Sequence, residues 1–189
     1  MRKPMGYDEA AAFTGEFETI PPGGHVCVIK GVKIDKTPKD NEVMIVLFDI
    51  ADGASNGYYS RLYERRKKQD SNFNWPGVYR QLTEGNSLPF FKGMITSIEE
   101  SNQGYKWDWN EHSLIGKYFG GVFGQEEYLG NDGKIKTSTK CMSIRSVQAV
   151  RDGVEPPQIK KYSGSNGYQA DYGDPNAFQQ INDNDLPWA

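Results

Sequence analysis

The chain has 189 residues, 37% hydrophobic, 13% aromatic and 25% charged, with a formal net charge of -3. That length carries one domain with a tail, and the low apolar share allows a modest core beside much polar loop. A negative total excludes binding of polyanions by bulk charge; no apolar run reaches membrane-spanning length and no secretory leader opens the chain, so the expected compartment is the cytoplasm.

Residues 1–23 read as a lead-in that runs into the breaker Pro21-Pro22-Gly23-Gly24. His25 to Ile34 alternates loosely and is rich in β-branched residues, which predicts a first strand. Pro38-Lys39-Asp40-Asn41 is a turn, and the short apolar run Val43 to Ile50 is a second, buried strand. After the turn signals Asp52-Gly53 and Asn56-Gly57, Tyr58 to Tyr63 reads as a third strand. Residues 66–76 form a polar loop. Val78, Leu82, Phe90, Phe91, Met94, Ile95 and Ile98 recur at three-to-four spacing, which predicts a helical region. Ser87 is its expected N-cap, Pro89 fits the first turn, and Ser101-Asn102-Gln103-Gly104 ends it. Lys117 to Leu129 is a glycine-rich bent strand, Asn131-Asp132-Gly133 a hairpin turn, and Lys134 to Val150 a long fifth strand. Beyond Pro156-Pro157 the Gly/Ser/Asn/Gln/Tyr-rich residues 158–189 lack periodicity and read as a disordered tail.

The expected fold is mainly β, with five strands and one helix between the third and fourth. That is the chain order of an OB-fold, a small Greek-key barrel over residues 24–157. Gly120, Gly121 and Gly124 suit a strand that turns a barrel corner.

Catalytic signals are sparse. There are only two histidines, His25 and His112, each without an evident partner group, and Gly120 to Gly124 lacks the spacing and lysine of a phosphate loop. Cys27 and Cys141 show no metal or redox spacing and read as buried free thiols. No metal or cofactor is expected, and the chain is not expected to be an enzyme.

Cations and rings, by contrast, share elements. Holding a single strand needs cations that track phosphates and flat rings that stack on bases. In the expected third strand Tyr59, Arg61 and Tyr63 have one parity and would line one face, with Tyr58, Ser60 and Leu62 turned to the core. Arg65, Arg66, Lys67 and Lys68 lead into a loop carrying Phe73 and Trp75. Lys117, Phe119, Lys136, Lys140 and Arg145 add candidates from the last two strands, and Phe123 and Tyr128 lie among them. From Gly133 to Arg151 five cations occur with no acid, whereas after Glu155 two lysines face four aspartates. Trp107 and Trp109 stack on bases or cap the barrel bottom, the second being the favoured reading.

Two resemblances sharpen this reading. Phe17 to Gly24, Trp75 to Leu82, Leu88 to Gly93 and Gly120 to Gly124 resemble a family of phage and mobile-element single-stranded DNA-binding proteins from Gram-positive hosts. The ending Asp183-Asn184-Asp185-Leu186-Pro187-Trp188-Ala189 resembles the acidic tip of bacterial single-stranded DNA-binding proteins, with Trp188 in place of the usual Phe and Ala189 added behind it. The resemblance implies sequence-tolerant DNA binding in replication or recombination within a host cytoplasm. Asp183, Asp185, Leu186, Pro187 and Trp188 would recruit partner proteins, and self-association is compatible with a barrel that grips few nucleotides. An OB-type module for RNA or protein is the alternative, and a metal-dependent nuclease a further one.

Overall fold

A computed structural model describes residues 2–5, 7, 18–130 and 132–163. Its centre is a five-stranded antiparallel sheet of β1 (Gly23–Lys36), β2 (Glu42–Ile50), β3 (Val78–Leu82), β4 (Tyr118–Leu129) and β5 (Ile135–Arg145). The strands lie in the order β3-β2-β1-β4-β5. β2 lies inside the sheet between β3 and β1, and every residue from Val43 to Ile50 is buried, as expected for a strand covered on both faces.

β1 serves two neighbours. Its first part pairs with β4 from Gly23↔Phe123 to Val28↔Tyr118, and from Cys27↔Ile50 onward it pairs with β2 out to Lys36↔Glu42. A bulge between Ile29 and Gly31 redirects the strand where it passes from one partner to the other. The sheet therefore curls around a core in which Phe48 meets Tyr59, Phe119 and Phe123 edge to face at centroid distances of 5.4, 5.5 and 6.1 Å. The sheet is not closed: β3 and β5 are its two edges.

Among the described residues three α-helices accompany it: α1 (Tyr58–Lys67), α2 (Leu88–Ser101) and α3 (Val147–Arg151). The helix expected between the third and fourth strands is α2, with Pro in its first turn and its end at Ser101; Ser87 precedes it without a side-chain cap bond. Phe91, Met94 and Ile98 form its buried stripe, at helical spacing.

Two expectations are corrected. Tyr58 to Tyr63 is the start of α1, not a strand. Gly57 opens the helix in the left-handed region, and the buried Asp49 carboxylate of β2 accepts from the Tyr59 and Ser60 N–H groups at 2.9 and 3.1 Å and from the Ser60 hydroxyl. A residue on the preceding strand, ten positions before Tyr59, thus satisfies the first amides of this helix, where no local side-chain cap is present. The third strand is instead Val78–Leu82, which the three-to-four spacing had assigned to the helical region. Gly77, just before it, is obligatory, since a Cβ there would lie 2.2 Å from the Phe48 carbonyl oxygen and 2.7 Å from the Tyr59 ring.

The fifth strand also ends earlier than expected, at Arg145, and Val147–Arg151 turns back as α3. α3 packs on β4 at Gly120, where a Cβ would meet the Ser146 carbonyl at 2.5 Å and Val150 at 2.6 Å. That glycine serves close approach rather than a corner, although β4 does carry an irregularity at Val122/Phe123. Residues 158–163, assigned by sequence to the tail, are tied to the sheet. Lys160 bridges Glu126 in parallel fashion, with Lys160 N donating to Gln125 O and Glu127 N to Lys160 O. The rest of the expected tail, 164–189, lies outside the described residues, as does most of the lead-in, but Ile20 at the end of the lead-in is buried in the core. Among the described residues no helix is long and apolar enough to cross a membrane.

Candidate functional site

The gap between the two sheet edges is a groove of about 1440 Å³. β3 forms one wall with Val78, Tyr79, Arg80 and Gln81, and β5 the other with Thr137 to Arg145. Pro89, Phe90, Gly93 and Met94 of α2 contribute one boundary, and Tyr58, Leu62, Phe73 and Trp75 another. The volume exceeds the few hundred to about 1000 Å³ typical of small-molecule sites.

Four cations line it: Arg80, Lys140, Arg145 and Lys160. Lys140 and Lys160 share one carboxylate, Glu126, at 3.2 and 3.3 Å. Burial pushes the Glu126 carboxyl up, but the two ammonium groups outweigh it, and the net position is below the ordinary carboxylate range. Arg80 is half-buried, and desolvation lowers its pKa. A guanidinium held in a partly dry wall meets an anion with less screening than one in open water. Arg145 is exposed at the end of β5.

Rings of different exposure lie around these charges. Phe90, on the first turn of α2, is 70% exposed although it is wholly apolar. Tyr79 on β3 is half-buried, its hydroxyl donating to Gln81 Oε1 at 3.1 Å. Phe73 is half-buried against Tyr63, which in turn packs on Trp75 at 5.3 Å. The groove thus offers backbone edges, cations and ring faces along one slot.

Of the residues singled out by sequence, Lys140, Arg145 and Phe73 meet in this groove with solvent access. Tyr59 and Trp75 border it from within the core at 7% and 5% exposure, so neither offers a stacking face; the Trp75 indole N–H is spent on the Phe48 carbonyl at 3.0 Å. Phe119 is fully buried against Phe48. Because Tyr58 to Tyr63 is helical, Tyr59, Arg61 and Tyr63 share no sheet face. Arg61 pairs with Glu18 and donates to the Asn56 carbonyl near the start of α1. Arg65, Arg66 and Lys67 occupy the last turn of that helix and Lys68 its cap, where cations favour the helix dipole. Lys67 holds the Phe73 carbonyl at 3.4 Å and lies over the Tyr63 ring, and so braces a groove residue without lining the groove. Lys136 pairs with Asp132 near the hairpin turn, and Lys117 covers the Tyr105 ring at 4.5 Å, away from the slot. Asp183, Asp185, Leu186, Pro187 and Trp188 lie outside the described residues.

Sequence reasoning missed Tyr79, Arg80, Phe90 and Lys160. The breaker Trp75-Pro76-Gly77 ahead of Val78-Tyr79-Arg80 was the available signal for an edge strand carrying a ring and a cation. Lys160 had no signal, because its position depends on a bridge to a strand more than thirty residues earlier.

Both cysteines are free, as expected. Their sulfurs flank Gly121, 3.1 and 3.3 Å from where its Cβ would stand. Burial raises both thiols, Cys141 to about 12, so they carry no thiolate at neutral pH. Among the described residues no cluster of three or more His, Cys, Asp or Glu is gathered to hold a metal ion. No protein-family model matches the chain, and a search of curated proteins gave no match.

Proposed function

We propose that the chain binds single-stranded DNA in the groove between β3 and β5, with little dependence on sequence. The observation that carries this is the groove itself: a slot about 1440 Å³ in volume, walled by Arg80, Lys140, Arg145 and Lys160 and overlooked by the exposed Phe90. Cations arranged to follow phosphates beside rings arranged to accept bases are what single-strand binding needs. The strand order, with a bent β1 shared between β2 and β4, is compatible with an OB-type barrel left open between its third and fifth strands, which supports this reading. The net charge of -3 is no obstacle, since cations dominate locally. Residues 24–157 are the proposed binding domain. The resemblance of the last residues to an acidic recruitment tip extends the proposal to a replication or recombination role in a phage or mobile element, with partner proteins held by Asp183 to Trp188.

The test is an anisotropy titration of labelled oligo-dT at several salt concentrations. Four working cations give a slope of log affinity against log salt of roughly -3 for a single strand. Replacing Lys140 and Arg145 together by Glu weakens binding on the order of 100-fold at low salt and flattens the slope by about 1.4. Equal binding by the wild type and this variant would remove the groove as the site. Tighter binding of oligo-U than oligo-dT would reassign the ligand to RNA.

A further inference from the structure

A second aromatic feature lies on another flank of α2. Pro89, Phe90, Gly93 and Met94 face the groove. Phe91 instead meets Trp107 edge to face at 5.8 Å, and Glu99 accepts from Trp107 N at 3.0 Å and holds Lys106 Nζ at 2.7 Å. On Trp107 rests Trp109, with ring centroids 4.7 Å apart and planes tilted by 39°. Trp109 is 78% exposed, so Trp107 covers only part of its indole and most of the ring is open to solvent.

This ring is held in place. Trp109 has φ +67°, a left-handed backbone that a bulky non-glycine residue rarely adopts. The loop around it is fixed by Trp107 Nε1 donating to Asn110 O, by the Asp108 carboxylate accepting from Asn110 N and the Ser113 hydroxyl, and by Asn110 Oδ1 accepting from His112 N. Burial does not account for an exposed indole on a constrained loop, and a rigid aromatic anchor is the usual centre of a protein interface.

The local charge selects the occupant. Residues 99–114 hold Glu99, Glu100, Asp108 and Glu111 against one cation, Lys106. Lys106 is engaged by Glu99, while Asp108 and Glu111 stand within two residues of Trp109. The hydrogen bonds from Ser113 and Asn110 lower the Asp108 carboxyl further and keep it ionised. A polyanion is repelled from such a ring. A guanidinium or ammonium is attracted twice, to the ring face and to the carboxylates.

We infer that Trp107 and Trp109 form a second docking surface, separate from the groove, which takes a basic segment of a partner protein by stacking an arginine or lysine on the open face of Trp109 between Asp108 and Glu111. The surface stands whether or not the groove binds DNA, because its residues and charge are its own.

The experiment uses the full chain labelled with 5-fluorotryptophan, observed by fluorine NMR, with hexa-arginine as probe. The Trp109 resonance is the one absent in Trp109→Phe. Hexa-arginine shifts that line and leaves the Trp75 line in place, whereas oligo-dT does not move the Trp109 line. Affinity for the peptide falls about tenfold in Trp109→Ala and in the double variant Asp108→Lys, Glu111→Lys, while Trp109→Phe retains part of it. Oligo-dT affinity is unchanged in Trp109→Ala. Peptide binding that survives both losses, held for instance by the acidic C-terminal residues, overturns the inference; so does a Trp109 line that answers to oligo-dT and not to the peptide. The Lys140/Arg145 variant keeps its peptide affinity, so failure of the groove and failure of this surface are separate results.

Discussion

The groove and the tryptophan ledge use the same aromatic chemistry in opposite charge settings. β5, the groove's outer wall, carries Lys136, Lys140 and Arg145 and no acid, whereas residues 99–114 carry four acids and one lysine. Both surfaces border α2, whose Phe90 turns to one and Phe91 to the other. A ring face accepts a base, a guanidinium or another ring. The charges around it bias the choice, and on this molecule two rings one residue apart in sequence lie beside surfaces of opposite charge.

The comparison is broken or sharpened most strongly at two tryptophans. Trp75→Ala removes a buried indole and its bond to Phe48 O, and the expected loss is about 3–5 kcal/mol of unfolding free energy in urea. Trp109→Ala changes the same quantity by less than about 1 kcal/mol, since its ring is mostly in water. Equal losses would mean that the ledge ring is structural and would dissolve the distinction. A smaller effect comes from Phe90→Ala. Its stability cost stays below about 1 kcal/mol, while oligo-dT binding weakens by about 1–3 kcal/mol if the exposed ring stacks on a base. Unchanged affinity would leave stacking to Tyr79 and Phe73 or the groove to its cations.

The smallest effect concerns the shared acid. Glu126 has its carboxyl lowered by Lys140 and Lys160 beyond what burial raises it. A lowered folded value means that its contribution is complete above the ordinary carboxylate range and is lost as pH falls through the folded value. Glu126→Gln therefore costs at most about 1 kcal/mol at neutral pH, and the two unfolding curves converge in acid. The same change frees both ammonium groups from their carboxylate, and oligo-dT binding tightens a few-fold at low salt. Weaker binding in this variant would show that Glu126 positions the lysines instead of competing for them.

Much of the sheet was legible in the sequence. β1 announces itself by β-branched alternation, β2 by a short apolar run and β4 and β5 by the hairpin turn between them, and α2 by Phe91, Met94 and Ile98 at helical spacing. α1 was not, because Tyr58-Tyr59-Ser60-Arg61-Leu62-Tyr63 has the composition of a strand and its helix is started from outside by Asp49. Val78 and Leu82 misled for the opposite reason: four residues apart, they mimic one helical turn inside a five-residue edge strand. At the site, the charge run into β5 located Lys140 and Arg145, since charges stay at the surface whatever the fold. The rings could not be sorted this way. Trp75 and Phe90 are both large and apolar, and only the packing decides that one lies beneath the floor and the other above it.

The open seam has one more consequence. Edge strands are where another extended chain can add to a sheet by main-chain pairing, and here both edge strands, with their rows of main-chain groups, line the same channel. The channel is therefore a template for any stray extended peptide, including a neighbouring molecule's. A thread of nucleotides lying in it would act as a chaperone to its own carrier, shielding those rows from clumping for as long as it stays bound.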